Sequence, residues 1–278
     1  VTTAAIRLAR YYTKREKIAV CGYHGWHDWY IGSTSMDNGV PIKTKGDTLR
    51  FEFNNINSLK KLFKNHKIAG VIIEPLSINL PKDNFLKEVQ DLCKKNKSIL
   101  IFDEICTGFR VSLGGAQKIY NIEPDLTTLG KGMANGMPLS ALVGKRKIMK
   151  SLEKVFFSGT FGGETLSLIS CLETIKFMKK KKAIDKNIKF GSIIYDSLNN
   201  YLKELNIDDI LELSGHPAWL FLKIKGNPSN QKIIRSFIFQ EMVENKILFL
   251  GSYNINYSFN INNINKIIKV FKNIFLKI

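Results

Sequence analysis

Two side chains in this sequence have types and surroundings suited to joint chemistry: the carboxylate of Asp103 and the amine of Lys131. Asp103 closes the apolar run Ile99-Leu100-Ile101-Phe102, which is too short for a helix and rich in strand formers, and Glu104 follows it. The pattern predicts a carboxylate at the carboxyl end of a buried strand, the rim at which open α/β sheets bind ligands. Lys131 stands between Gly130 and Gly132, where the backbone can turn tightly and a bulky group can approach the amine. About one crossover unit separates the two residues, so both can reach one crevice.

A lysine amine attacks carbonyls when a neighbouring charge or loss of water lowers its pKa. An aldehyde cofactor such as pyridoxal 5'-phosphate uses that property, and a carboxylate beside its ring nitrogen keeps the nitrogen protonated so that the ring can draw electrons from the substrate. Alone, the lysine would read as a solvent charge and the Asp-Glu pair as a cap. A competing reading takes Ile99 to Glu104 as the magnesium-binding strand of a P-loop ATPase acting on nucleic acid. That enzyme needs G-x-x-x-x-G-K-[ST], and both Gly144-Lys145-Arg146 and Gly130-Lys131-Gly132 fail the pattern.

The elements that must position these residues alternate along the first half. A helix over the first ten residues is followed by a strand from Lys17 to Gly22 and the aromatic turn Tyr23-His24-Gly25-Trp26-His27. Phe51 to Lys67 has a helical rhythm, Ala69 to Ile73 reads as a strand ending on Glu74-Pro75, and Asp83 to Lys95 reads as an amphipathic helix leading into the central strand. Strand, helix, strand in this order predicts right-handed crossovers and a largely parallel sheet. Further strands are expected at Leu139 to Val143 and Val155 to Phe157, and helices over Glu164 to Lys180 and Ala183 to Leu205. The remainder has another character, with strands at Trp219 to Ile224 and Ile247 to Leu250, a turn at Gly226 to Asn230, and helices over Lys232 to Glu244 and Ile261 to Phe275. The expected division is a large domain over 1–194 and a small α+β domain over 195–278.

The 278 residues carry a formal charge of +18, with lysines scattered except for a cluster at Lys179 to Lys182. Nucleic-acid footprints gather charge on one face, so this bias reads as solvated surface and no nucleic-acid partner is expected. No apolar run approaches the roughly 20 residues that span a bilayer, so no membrane partner is expected either. Cys21, Cys93, Cys106 and Cys171 form no C-x-x-C pair, which fits reduced thiols in a cytoplasmic protein. His24, His27 and Asp28 lack a third firm partner, so no metal site is expected.

Six segments in order carry a resemblance: Tyr23-His24-Gly25; Glu74-Pro75; Phe102-Asp103-Glu104-Ile105-Cys106-Thr107-Gly108-Phe109-Arg110; Pro124-Asp125-Leu126; Gly130 to Pro138; and Ser158-Gly159-Thr160-Phe161-Gly162-Gly163. With them the chain resembles the class III, fold-type I pyridoxal-phosphate-dependent aminotransferases, and most of all the glutamate-1-semialdehyde aminomutase group and its relatives from surface-polysaccharide clusters. The resemblance implies an α/β fold, with a mostly parallel central sheet flanked by helices and a small α+β carboxyl-terminal domain.

It also implies roles. Lys131 would bond the cofactor aldehyde and then move the substrate Cα proton, and Asp103 would pair with the ring nitrogen. Ile105 would pack under one ring face and Tyr23 near the other, with His24 beside the cofactor. Thr160 would reach the phosphate of a neighbouring subunit, implying a homodimer with shared sites, and Glu74 would stand near the ring's phenolic oxygen or the substrate. The implied reaction moves an amino group from an amino donor to a keto or aldehyde acceptor, such as a sugar or a small keto acid. An aminomutase, which returns the amine to another carbon of the same molecule, would use Lys131 and Asp103 identically. The family's Gly/Ser/Thr phosphate loop, which precedes the helix that here begins at Val1, is missing from the sequence. A polypeptide starting there is expected to retain the cofactor weakly or not at all.

Overall fold

The computed structural model describes residues 1–278. Two compact units are present, one formed by Val1–Pro75 and Pro81–Lys176, the other by Leu76–Leu80 and Phe177–Ile278. The expected boundary at 194/195 lies inside a continuous helix, Ala183–Glu204.

In the first unit, α1 (Thr2–Thr13) leads into β1 (Lys17–Cys21), followed by the short α2 (Asp28–Ile31), α3 (Ile42–Lys45) and β2 (Thr48–Arg50). Next come α4 (Ile56–Asn65), β3 (Ile68–Ile73), α5 (Phe85–Lys95), β4 (Ile99–Asp103), α6 (Gly115–Ile119), β5 (Leu126–Leu129), β6 (Ala141–Gly144), α7 (Arg146–Met149) and α8 (Thr165–Lys181), whose last turn belongs to the second unit. The sheet runs β2-β1-β3-β4-β5-β6, parallel except for the antiparallel pair β5 and β6. Both faces are covered, and this is why the strands read as continuous apolar runs. Ile18, Val20, Ile72, Ile99 and Ile101 pack with Ala5, Leu8 and Ala9 of α1, while Ala19, Val71, Ile73, Leu100 and Phe102 pack with Leu59 of α4 and Phe85 and Val89 of α5. At the far edge from the site, the Arg15 guanidinium donates to the carbonyls of Ile68 and Asn96 at 2.9 and 2.8 Å, tying the starts of β3 and β4.

The second unit packs α9 (Ala183–Glu204), α10 (Pro228–Glu244) and α11 (Ile261–Phe275) against the antiparallel sheet of β7 (Leu211–His216), β8 (Trp219–Ile224) and β9 (Ser252–Tyr253). Its core gathers Leu198, Leu202, Leu213, Leu220, Ile238, Phe249, Phe271 and Phe275. Asn199 of α9 clamps the backbone of Leu213 in both directions, each bond 3.0 Å, and Ser214 donates to the carbonyl of Ile78.

Three expectations fail. Val155 to Phe157 is not a strand: Phe156 and Phe157 are exposed and have no ladder partner. Ile247 to Leu250 is not one either: Phe249 faces the core and Leu248 and Leu250 face solvent, as they would on a strand, but no neighbouring strand pairs with them, and the ladder begins only at Ser252. Gly226 to Asn230 is cut short as a turn, since α10 starts at Pro228 with Asn227 capping the N–H of Asn230. No helix is long and apolar enough to cross a membrane.

Gly191 of α9 is buried, and a Cβ added to it would overlap the carbonyl oxygen of Pro217. Alanine is the better helix former by about 1 kcal/mol, but backbone overlap costs roughly 1–3 kcal/mol or more. Because the overlap is with backbone, which cannot swing aside, its cost lies at the upper end of that range, and Gly191→Ala is expected to destabilise the chain by a net of about 2 kcal/mol in urea denaturation; an unchanged or raised midpoint would refute this packing.

Candidate active site

Four parallel strands deliver the candidate residues to one rim. Tyr23 and His24 follow β1, Glu74 follows β3, Asp103 ends β4, and Lys131 stands just beyond β5. Asp103 pairs in register with Thr128 across the β4–β5 ladder, so the two strands bring Lys131 to the end at which the carboxylate lies.

Asp103 is only 4% exposed. Its Oδ1 accepts from the Ile105 N–H at 3.2 Å and from Thr128 Oγ1 at 3.0 Å, and its Oδ2 lies 2.8 Å from Nδ1 of the buried His24. The other ring nitrogen, Nε2, is 3.1 Å from the carbonyl of Cys21. Both neighbours of that imidazole are acceptors, so both contacts are satisfied when both ring nitrogens carry protons. A carboxylate offers about four lone-pair positions; three partners leave one on Oδ2.

Glu74 is held by the Tyr23 N–H at 2.9 Å. Burial pushes its carboxyl above the ordinary range; the Tyr23 N–H and the charge of His24 act against this, Asp103 adds to it, and Lys131 opposes it weakly. One electrostatic neighbourhood thus holds Glu74, His24, Asp103 and Lys131. The carboxylate packs where a side chain of Gly22 would go: a Cβ there would stand 2.6 Å from Glu74 Oε2, and Gly22 has a φ of +108°.

Lys131 is exposed and adopts a left-handed φ of 42°, uncommon outside glycine. Its Nζ lies 2.6 Å from Cys106 Sγ. Ile105 is half-buried with its Cγ2 facing Gly130, and Tyr23 is 60% exposed, edge-on to Tyr30 at 5.6 Å. The rim therefore gathers Asp103, His24, Glu74, Tyr23, Ile105 and Lys131.

Thr160 stands apart from them on the exposed loop before α8. The N-terminus of that helix, whose N–H groups could hold a phosphate, is already taken by Glu164, which accepts from the N–H groups of Leu166 and Ser167 at 2.6 and 2.7 Å. No group of three His, Cys, Asp or Glu side chains converges on a metal position.

Sequence reasoning passed over three participants. Thr128 and Cys106 lie within or beside the quoted segments, but only the fold shows what they face. Glu104 is fully buried, and its carboxylate accepts from Thr107 Oγ1 and from the N–H groups of Ala116 and Gln117, the last two at 2.8 Å. It knots the loop leaving β4 to the start of α6.

The family profile for class-III aminotransferases matches residues 2–215. The chain belongs to this family. Its members use pyridoxal phosphate, and the ring end of the site fits that group: a buried carboxylate with a lone pair to spare and an accessible amine share one rim. A 3-aminobutyryl-CoA aminotransferase from Cloacimonas acidaminovorans is 35% identical over 270 residues, 92% of this chain and 63% of that protein. A glutamate-1-semialdehyde 2,1-aminomutase from Acetivibrio thermocellus is 40% identical over 222 residues, 72% of this chain and 52% of that protein. The chain thus spans between half and two thirds of the length of these relatives. An omega-transaminase from Sphaerobacter thermophilus superposes with a TM-score of 0.88 at 21% identity, over 99% of this chain and 72% of that one. A transaminase with PLP bound gives 0.90 at 22% identity, over 99% and 71%. These last two likenesses establish the fold. With the family assigned, the ATPase alternative falls.

Because the Glu74 pKa is raised in the folded chain, the stability tied to its proton is present below the unfolded value of about 4.5 and is lost as pH rises through the higher folded value. Glu74→Gln removes that titration and keeps an oxygen for the Tyr23 N–H. The melting temperature of the variant relative to wild type is expected to climb as pH rises from 4.5; a difference that stays flat with pH would contradict it.

Proposed function

We propose that the chain carries the catalytic rim of a pyridoxal-phosphate-dependent aminotransferase, moving an amino group from a small amino donor to a keto or aldehyde acceptor such as a sugar or a small keto acid. The observation that carries this reading is the shared rim of Asp103 and Lys131, one buried and triply held, the other exposed. When bound, the cofactor supplies an aldehyde that takes up the amino group and a ring that draws electrons from the carbon losing its proton. Asp103 would hold a proton on the ring nitrogen through its remaining lone pair, with His24 fixing the carboxylate from behind. Lys131 would bind the aldehyde carbon and, once displaced by the donor amine, move the proton at the substrate Cα through Nζ. Ile105 and Tyr23 would bound the two ring faces, and Glu74 would stand beside the ring's oxygen or the substrate.

A second copy of the chain is proposed as the partner. Along α8, Leu166, Leu168, Ile169 and Leu172 are exposed, and Phe156, Phe157 and Phe161 are exposed just before it. Such a run of large apolar side chains marks an interaction surface. A neighbouring chain seated there would also give the Thr160 loop a site to complete, at the phosphate of that neighbour.

Two measurements test this. With pyridoxal phosphate in large excess, which offsets the weak retention expected of a chain starting at Val1, an absorbance band at about 400 nm is expected that borohydride fixes on Lys131. Lys131→Ala should abolish the band and all amino transfer, and Asp103→Asn should lower turnover by about 10²-fold or more. A band that survives in Lys131→Ala would sink the assignment. Release of a keto product from the donor separates a transaminase from an aminomutase. For the partner, the 31.6 kDa chain is expected to sediment as a dimer. The pair Leu168→Glu and Leu172→Glu should convert it to monomer, and a wild-type chain that is monomeric at tens of micromolar would refute the shared site.

A further inference from the structure

Thr128 brings a hydroxyl to a place that an apolar side chain would fill more simply. It is 0% exposed, in a strand flanked on both sides, pairing with Asp103 of β4 on one side and with Leu142 of β6 on the other. Valine has the same branched outline and would bring no polar atom in need of a partner. The partner here is Asp103, whose Oδ1 accepts from the Thr128 hydroxyl at 3.0 Å. An ionised carboxylate has no proton to give, so the threonine is the donor. Nor can that donor easily turn away: its χ1 is stiff, two ladders hold its backbone, and its carbonyl accepts from the Glu104 N–H at 2.9 Å.

The other contacts of Asp103 show what this one adds. The terminal torsion of an aspartate is broad, so a single contact on each oxygen leaves the carboxylate plane free to rock. Without the hydroxyl, Oδ1 would keep only the longer bond from the Ile105 N–H, at 3.2 Å, and Oδ2 the His24 contact at 2.8 Å. We propose that Thr128 is a positioning residue: its hydroxyl fixes the plane of the Asp103 carboxylate and holds it ionised, so that the proton shared with the cofactor's ring nitrogen stays on nitrogen. Donors to a carboxylate favour its charged form, and the ring draws electrons better while its nitrogen keeps that proton. The proposal deepens the reading of Asp103 as the partner of the ring nitrogen and rests on it. Only the resting place of one proton is at stake; no other bond changes.

Three variants test it. Thr128→Val removes the hydroxyl and keeps the branched shape. Should that chain fail to fold, Thr128→Ser and Thr128→Ala both lose the methyl group and differ from each other in the hydroxyl alone. With an excess of pyridoxal phosphate carrying 15N in the ring, NMR of the wild-type chain is expected to show a protonated nitrogen. The valine and alanine variants should move that signal toward the unprotonated position, and the serine variant should leave it near the wild-type one. In equilibrium titrations the hydroxyl-free chains should bind pyridoxal phosphate about tenfold more weakly than their hydroxyl-bearing counterparts, since a hydrogen bond to a charged group is lost. Their affinity for the analogue with CH in place of the ring nitrogen should be unchanged, because that analogue has no proton for Asp103 to hold. An unmoved nitrogen signal would overturn the proposal, as would an equal loss of affinity for both molecules, which would leave the hydroxyl a packing role only. A wild-type chain whose bound ring nitrogen is already unprotonated, or a band that survives Lys131→Ala, would instead remove the reading of the site, and the proposal with it.

Discussion

A carboxylate buried in a sheet is costly unless its charge is met and its oxygens are hydrogen-bonded, and the upper rim of this chain is arranged around meeting that demand at Asp103. The partners come from three directions: His24 from the exit of β1, Thr128 from β5, and the Ile105 N–H from the loop that leaves β4 itself. One acid therefore ties together three strand ends. The tie to His24 also passes across β3, which lies between β1 and β4 in the sheet, so the rim is braced over its whole central width. Truncating Asp103 would do more than remove a charge from the crevice; it would leave His24 and Thr128 with buried polar atoms facing nothing.

The same logic explains where the backbone gives way. Gly22 and Gly115 both have positive φ, and both lie where a carboxylate fills the space a side chain would need: Glu74 against Gly22, and Glu104 against Gly115. The acids at the rim are thus seated on bare backbone, and each is fixed by N–H groups rather than by flexible cations. Lys131 is the exception, a non-glycine residue with left-handed φ, which costs free energy that the surrounding turn must offset. Standing between two glycines, its backbone is fixed in that turn while the amine at the end of its stem is open to solvent.

Much of this was legible in the sequence. The apolar runs at Ile68–Ile73 and Ile99–Asp103 are strands because strands covered on both faces need no polar alternation, and the acid closing each run marks its emergence at the rim. That Asp103 and Lys131 would come to the same end of the sheet could be anticipated from one closing a strand and the other lying about one crossover unit later. What could not be read was whatever depends on the third dimension. The strand β5, Leu-Thr-Thr-Leu, hides its role because Thr127 and Thr128 look polar, yet both are buried, and Thr128 serves Asp103. β7 escaped notice for a related reason, since its Ser214, Gly215 and His216 break the apolar pattern while its pairing with β8 stays complete. In the other direction, Phe156 and Phe157 look like strand residues but remain exposed and unpaired, which local propensity cannot foresee because it says nothing of whether a ladder partner lies alongside.

The two ends of the proposed cofactor are unequally provided for, and the inequality has a thermodynamic consequence. At the ring end, one chain supplies a buried acid and an amine. At the phosphate end, Glu164 occupies the N-terminus of α8 with its own negative charge, and the loop carrying Thr160 is exposed, with nothing near the positions a Cβ would take at Gly159 or Gly163. On the proposed reading, that loop gains its ligand only from a neighbouring subunit, so ordering the loop, seating the apolar face of α8 and binding the phosphate are parts of one equilibrium. Linkage then requires reciprocity: whatever factor by which dimer formation tightens the cofactor, the cofactor must tighten the dimer by the same factor. A chain that grips the ring alone and the phosphate only as a dimer would bind its cofactor with an apparent affinity that rises with its own concentration until the dimer is fully formed, whereas the affinity of a self-contained site is independent of protein concentration.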